Sequence, residues 1–241
     1  MGVVVVVPTY SEEGNLGPLL TRVKSLAPRL NDKLTILIVN DGADNDLERV
    51  SSYMLDDGNM IVLLQQKGRR GLGFAYKSGF RYALNNFEPT TFVQMDGDLQ
   101  HPPEKIPELV NMICNGYDVA IASRYVHGSE RIGLSRRREI FSKLINSFLC
   151  KFLRLEVSDA TSGFRALSRK AVEYIISDGV SASGFAFQVE TLSMLKRKGM
   201  RIEETSFCFY PRVNGRSKLL LTNPFDFVRS IILTRIRNYL Q

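Results

Sequence analysis

The amino-acid sequence predicts an α/β fold, a mostly parallel sheet with helices on both faces. Three observations predict it. Short runs rich in valine, isoleucine and leucine recur at 3–7, 34–39, 60–64, 92–95 and 119–122, and they lack the alternation of a half-exposed strand, as expected for strands buried on both sides. Stretches of helical length separate most of them. Thr9, Asp41 and Asp96 close the first, second and fourth runs, and a parallel sheet gathers such tips along the edge where ligands bind.

The first run ends in Pro8-Thr9-Tyr10-Ser11-Glu12-Glu13, a loop leading into a helix near Asn15 and Leu16. No basic region precedes this run, it is too short to span a bilayer, and it stops at a proline, so it reads as a first strand and not as a signal peptide. The second run ends in Asn40-Asp41-Gly42. After the third, Gly68-Arg69-Arg70-Gly71-Leu72-Gly73 opens a helix reaching about Asn85. This is not a Walker A loop, since Tyr76 precedes Lys77-Ser78, nor a dinucleotide fingerprint, which would follow the first strand. Two readings stay open: a diphosphate cradle of backbone N–H groups, the helix dipole and Lys67 or Arg70, or glycines that only let the helix pack closely.

The fourth run delivers Asp96-Gly97-Asp98-Leu99-Gln100 just before His101-Pro102-Pro103. Two carboxylates around one glycine can turn toward one cation, because Gly97 lets the backbone bend without a side chain in the way. With Gln100 as a neutral oxygen, the set suits Mg²⁺ or Mn²⁺ that keeps positions open for phosphate. The alternative is a helix-capping turn, with Asp98 ahead of the helical run that starts at Pro103.

The fifth run ends in Ser123-Arg124-Tyr125. From Ile140 to Leu155, paired apolar residues recur every four positions, with Ser142, Lys143, Asn146, Ser147, Lys151 and Arg154 on the other side. Such an amphipathic helix either packs on the core or lies in a membrane headgroup layer. Residues 159–165 read as a polar loop followed by a helix at 168–176, residues 185–190 enter another helix, and 202–209 reads as a strand. Glu190 stands in an apolar context, where a carboxylate needs a cationic partner. Residues 211–218 form a basic loop, and Asn223 and Pro224 begin a last helix with Phe225, Val228, Ile232 and Ile236 on one face. Its arginines place that helix on a surface and not across a membrane.

Composition bounds the whole. A chain of 241 residues with 44% apolar and 24% charged residues can bury one substantial core. Cys114, Cys150 and Cys208 are odd in number and widely spaced, which fits a reducing compartment. The net charge of +7 is uneven: 131–154 holds seven basic residues against one acid, Glu139. That patch points to lipid phosphate, nucleotide phosphate or nucleic acid, unless it is simply a solvated helix face.

Six segments, taken in order, resemble the dolichol-phosphate mannosyltransferase family, inverting family 2 glycosyltransferases of GT-A (Rossmann-like) fold. They are Val-Pro-Thr-Tyr-Ser-Glu-Glu at 7–13, Arg-Gly-Leu-Gly-Phe-Ala at 70–75, Met-Asp-Gly-Asp-Leu-Gln-His-Pro-Pro at 95–103, Ala-Ser-Arg-Tyr at 122–125, Thr-Ser-Gly-Phe-Arg-Ala at 161–166 and Arg-Ser-Lys-Leu at 216–219. The chain departs from the family's usual paired Asp-Asp and Asp-Gly-Thr at 40–46, which leaves the base of the donor open.

The resemblance implies roles. Pro8, Tyr10, Glu12 and Asp41 would line the nucleotide pocket, and Asp96, Asp98 and Gln100 would hold Mg²⁺ or Mn²⁺ on the donor diphosphate. Arg124, Arg138, Ser142, Arg212 and Lys218 would surround the acceptor phosphate, Arg138 and Ser142 sharing one helix side at a spacing of four. The implied catalytic region is 1–215, with 216–241 as a basic loop and helix touching a membrane peripherally from its cytoplasmic side. The implied partners are a nucleotide-sugar donor, GDP-mannose or else UDP-glucose, and a polyprenyl or dolichyl phosphate; no nucleic acid is expected.

Lipid phosphate is mostly dianionic near neutral pH, its second pKa being about 6, so it needs no general base. A hydroxyl acceptor would need one, and Glu190 is the candidate. A silent module that binds nucleotide or nucleic acid is a third reading, although the aromatics of a stacking platform are missing. Glycoside hydrolysis does not fit, because Asp96 and Asp98 are too close in sequence to flank a sugar as acid and base.

Overall fold

The computed structural model describes residues 2–10, 13–30, 32–40, 60–65, 70–133, 135–178, 180, 182, 184–211 and 224–240. A seven-stranded sheet forms the middle layer, with spatial order β3-β2-β1-β4-β7-β5-β8. Its strands are β1 (Gly2–Thr9), β2 (Lys33–Asn40), β3 (Met60–Gln65), β4 (Thr91–Gln94), β5 (Val119–Ser123), β7 (Arg165–Ser168) and β8 (Ile202–Ser206). Two short strands, β6 (Glu130–Arg131) and β9 (Cys208–Phe209), pair separately in parallel.

The sheet is parallel throughout except at β7, which runs antiparallel to both β4 and β5. The register puts Thr9 opposite Asn40, and Arg165, the first residue of β7, opposite both Gln94 and Ile121. The tips of β1, β2, β4 and β5 therefore share one edge with the start of β7.

Both faces are covered, which explains the missing alternation in the strands. Val3, Val5 and Val7 pack under α1 (Glu13–Lys24), α2 (Ala27–Leu30) and α4 (Ile106–Cys114). Val4 and Val6 pack on the other side under α3 (Leu72–Asn86), with α5 (Arg136–Leu153), α6 (Arg169–Ser177) and α7 (Ala186–Arg197) in the same core. The last helix, α8 (Pro224–Leu240), docks on α7 and α5.

The sequence pattern missed β7, β6 and α2, and it ran β8 and β9 together. Each missed element is only two to four residues long, too short to display a period. In β7 the burial runs straight through Arg165, Ala166 and Leu167, so an arginine stands where an apolar residue would have signalled a strand. Ser168 then caps α6, its Oγ accepting the Ala171 N–H at 3.2 Å.

Helix α5 packs on the core through one side only. Asn146, Leu149, Cys150 and Leu153 are buried, whereas Ile140, Phe141, Leu144 and Phe148 are 60–65% exposed. The apolar stripe of its first half thus faces outward. On α8, Ile231 and Thr234 are buried while Phe225, Val228, Ile232 and Ile236 are exposed. No helix among the described residues is long and apolar enough to cross a membrane.

Candidate active site

The acidic turn hangs from the end of β4 and is tied on all sides. The Asp96 backbone N–H donates to His101 Nδ1 at 3.2 Å, and the Asp96 carboxylate accepts from the Tyr76 hydroxyl of α3 at 3.4 Å. With Nδ1 accepting, the ring proton sits on Nε2, which lies 3.9 Å from Asp96 Oδ2. His101 itself is buried, stacked on Phe164 at 5.1 Å and edged by Phe207 and Phe209. Proximity to Asp96 adds to burial in raising the Tyr76 hydroxyl well above its usual pKa.

Asp98 is buried, and its Oδ1 accepts the Gln100 N–H at 3.1 Å. This local turn replaces the helix cap considered from sequence, since the short helix at Pro103 receives no side-chain cap. Gly97 lies in the turn itself, and the left-handed residue beside it is Leu99, at φ 63°. A branched residue pays about 1–2 kcal/mol there, offset by burial of the Leu99 side chain in the core under α1 and α4. Gln100 Nε2 donates to the Tyr210 backbone carbonyl at 3.1 Å, and the Gln100 backbone carbonyl accepts the Tyr210 N–H at 3.2 Å.

Arg124, at the tip of β5, is not a loose cation. Its Nε and Nη2 bond Asp159 Oδ2 and Oδ1, both at 2.7 Å, its backbone N–H also reaches Oδ2, and Nη2 adds Thr161 Oγ1. Burial alone would lower the arginine's pKa and raise the carboxyl's, but the ion pair outweighs both, so Arg124 moves above and Asp159 below its ordinary value. The negative charge of Asp96 contributes to the first shift, which puts this guanidinium in the field of the acidic turn.

Next to Arg124, Tyr125 connects strand to helix. Its hydroxyl is 2.8 Å from Ser142 Oγ on α5, and the guanidinium groups of Arg124 and Arg131 lie 5.4 and 5.2 Å from its ring centre. Arg131 in turn bonds Glu139 and the Arg124 carbonyl. The start of α5 is thereby moored to the sheet edge.

Behind Asp96 lies a buried polar cluster. Arg165 is 1% exposed and donates to the carbonyls of Gln188 and Ala160 at 2.8 and 2.7 Å; burial pushes its pKa down to about 10. Gly163 fits against this cluster, since a Cβ there would stand 3.4 Å from Gln188 Nε2 and 3.5 Å from both Asp96 carboxylate oxygens.

Of the residues expected from sequence, Pro8 and Tyr10 lie at the β1 tip, Asp96, Gly97, Asp98 and Gln100 form the turn, Arg124 follows the tip of β5 bonded to Asp159, and Ser142 of α5 is bonded to Tyr125. Arg138 is exposed on the first turn of α5. Arg70 is exposed with its guanidinium 4.7 Å from the Phe74 ring centre. Glu190 is buried and bonded to the Ala182 N–H and to Arg237 of α8. Glu12, Asp41, Lys67, Arg212 and Lys218 lie outside the described residues. Sequence reasoning missed Tyr76, His101, Tyr125, Asp159 and Arg165; for Asp159 a signal was present, a lone acid heading a polar loop that also holds an arginine.

The two described glycines at the start of α3 have separate structural reasons. Gly71 needs its lack of side chain for φ 90°. Gly73 needs it for packing, because a Cβ there would lie 2.5 Å from the Ala182 carbonyl and 2.9 Å from Phe187 Cβ.

A divalent cation fits the donor set. Among the described residues no three His, Cys, Asp or Glu side chains form a closed metal cage, so Asp96 and Asp98 with the Gln100 amide would supply only part of a shell. That is the arrangement of Mg²⁺ or Mn²⁺ completed by phosphate oxygens.

Residues 4–176 match the model of the glycosyl transferase family 2. The chain belongs to that family. It is 32% identical over 234 residues to a dolichol-phosphate mannosyltransferase of Pyrococcus furiosus, covering 96% of this chain and 63% of that protein. It is 31% identical over 220 residues to a polyprenol monophosphomannose synthase of Mycolicibacterium smegmatis, covering 91% of this chain and 81% of that one. The fold is similar to that of glucosyl-3-phosphoglycerate synthase from Mycobacterium tuberculosis, solved with Mn²⁺, UDP-glucose and phosphoglyceric acid, with a TM-score of 0.68 at 18% identity over 97% of this chain and 79% of that chain. The architecture is GT-A, and the chain is a glycosyltransferase.

Proposed function

We propose that this protein transfers a hexose, mannose from GDP-mannose, to a polyprenyl monophosphate with inversion at the anomeric carbon. The observation that carries the reading is that the acidic turn after β4 and the Arg124 guanidinium, held by Asp159 after β5, leave the same edge of the sheet. The relatives named for mannosyl transfer to dolichol phosphate and polyprenol phosphate support the donor sugar and the acceptor class.

Asp96 and Asp98, with Gln100, would hold Mg²⁺ or Mn²⁺, which supplies a Lewis acid for the departing nucleoside diphosphate. Pro8 and Tyr10, with Glu12 and Asp41, would line the nucleotide pocket, and the turn at Arg70, with Lys67, would face the diphosphate. Arg124 has Nε and Nη2 committed, so Nη1 would meet the acceptor phosphate; Arg138, Ser142, Arg212 and Lys218 would complete its surroundings. The dianionic phosphate attacks without a base, and one in-line displacement inverts the sugar.

The outward apolar stripes of α5 and α8, rimmed by Arg136, Arg137, Lys143 and Arg229, would rest in the interface of an anionic membrane, bringing the lipid phosphate to the edge of the sheet. The test is the purified protein with Mn²⁺ or Mg²⁺, a panel of labelled GDP- and UDP-sugars, and a short polyprenyl phosphate. Label entering the organic phase from GDP-mannose, as the β-linked product of an α-linked donor, is expected. Nucleotide binding with no label in lipid from any donor would sink the reading.

A further inference from the structure

Among the described residues, Glu190 is the one buried carboxylate that the proposed transfer leaves without a task. Its two oxygens point to different parts of the molecule. Oε2 accepts the backbone N–H of Ala182 at 2.8 Å, and Oε1 pairs with Arg237 Nη1 on α8 at 2.6 Å. The Ala182 segment is what the start of α3 leans on. The Ala182 carbonyl occupies the space that a side chain at Gly73 would need, and Lys77, one turn further along α3, donates to the Val180 carbonyl at 2.8 Å. A continuous set of contacts thus runs from the outward-facing α8 through Glu190 to Ala182, and from there to the glycine turn that opens α3.

We propose that Glu190 is a positioning residue for the donor diphosphate: it fixes Ala182 against the start of α3 and so holds the turn at 70–73 in its binding geometry, with Arg237 steadying the carboxylate from α8. This rests on the reading of that turn as part of the donor site. It differs from the role of general base considered for Glu190, because both oxygens are engaged by donors that hold structure and neither bond includes a group of the acidic turn.

The two roles predict opposite patterns across five variants, Glu190→Gln, Glu190→Ala, Lys77→Met, Arg237→Ala and Arg237→Lys, assayed for Mn²⁺-nucleotide binding by calorimetry and for steady-state transfer. A glutamine keeps one oxygen for the Ala182 N–H and loses the partner of Arg237, so Glu190→Gln and Arg237→Ala should behave alike. Both are expected to weaken nucleotide binding by only about threefold, as a partly exposed ion pair allows. Glu190→Ala frees the segment altogether, and misplacement of the turn should weaken nucleotide binding by roughly 10- to 100-fold. Lys77→Met should fall between, and Arg237→Lys should restore the wild-type value. In each case the loss is carried by the donor KM, with kcat at saturating donor kept within about threefold.

A proton-transfer role would instead drop kcat by about 10²- to 10⁴-fold in Glu190→Gln and Glu190→Ala alike, with nucleotide affinity unchanged; that result overturns the proposal. Wild-type nucleotide affinity in Glu190→Ala overturns it too. If Glu190→Ala does not fold, Arg237→Ala and Lys77→Met decide, and unchanged nucleotide affinity in both counts against it. Nucleotide binding needs no acceptor, so a wild-type protein that binds nucleotide yet transfers nothing to polyprenyl phosphate would refute the acceptor assignment without touching this inference.

Discussion

Asp159 grips Arg124 along the whole Nε–Nη2 edge, two bonds of 2.7 Å from a carboxylate with no solvent exposure. The pair commits Nε and Nη2 and so sets the angle at which the arginine meets the sheet edge. Arg124 therefore acts as a fixed donor and not as a mobile surface charge, which suits an anion that must arrive in line.

Replacing Asp159 with Asn should cost stability as well as function. Removing one partner of a largely buried ion pair leaves an uncompensated guanidinium, typically about 3–5 kcal/mol. Denaturant unfolding should show that loss, and the KM for acceptor should rise more than that for donor.

The same pair sets a pH dependence. The folded pKa of Asp159 lies below its unfolded value of about 3.9. Its contribution to stability is therefore fully present above that pH and is lost as pH falls through the lower, folded value. Thermal melts between pH 3 and 7, run on wild type and Asp159→Asn, should show a shallower acid limb in the variant.

Asp98→Asn removes one charge from the acidic turn while preserving the bond to the Gln100 N–H. Transfer should fall on the order of 10²-fold or more, as for loss of a single stabiliser of developing charge. Circular dichroism should remain that of the wild type, and Mn²⁺ affinity measured with nucleotide present should drop.

Gly73→Ala forces a methyl against the Ala182 carbonyl and Phe187. Overpacking of this kind costs about 1–3 kcal/mol. The denaturation midpoint should fall, and donor KM should rise with it because the α3 turn moves.

Phe141 and Phe148 are more than 60% exposed, so Phe141→Asp should leave the melting temperature within a degree or so of wild type. Binding to vesicles containing anionic lipid should weaken by roughly 10-fold or more, the loss expected for one large apolar side chain. Vesicle flotation at low and high salt measures both this term and the electrostatic one.

Much of this was legible in the residues. The valine-rich runs announced a doubly covered sheet, and the tips at Thr9 and Asp96 announced its polar edge, because a strand buried on two faces can carry polar residues only at its ends. The acidic turn was legible as well, but not its mechanics: the left-handed residue in it is Leu99. That choice belongs to the core, which anchors the Leu99 side chain and so selects a backbone conformation that local preference disfavours. The orientation of α5 was equally hidden, since an amphipathic pattern says which side is apolar and not whether protein or lipid will cover it.

From the sequence alone came the order of β1 to β5 along the chain, the carboxylates at the sheet edge and the basic, apolar second half. These follow from local chemistry, where neighbouring residues suffice. Only the tertiary structure decided that β7 enters the sheet antiparallel, that Asp159 engages Arg124 across 35 positions, and that Glu190 joins Ala182 to Arg237. Partners that distant in the chain are chosen by packing, where burial makes an unpaired charge too costly to leave alone.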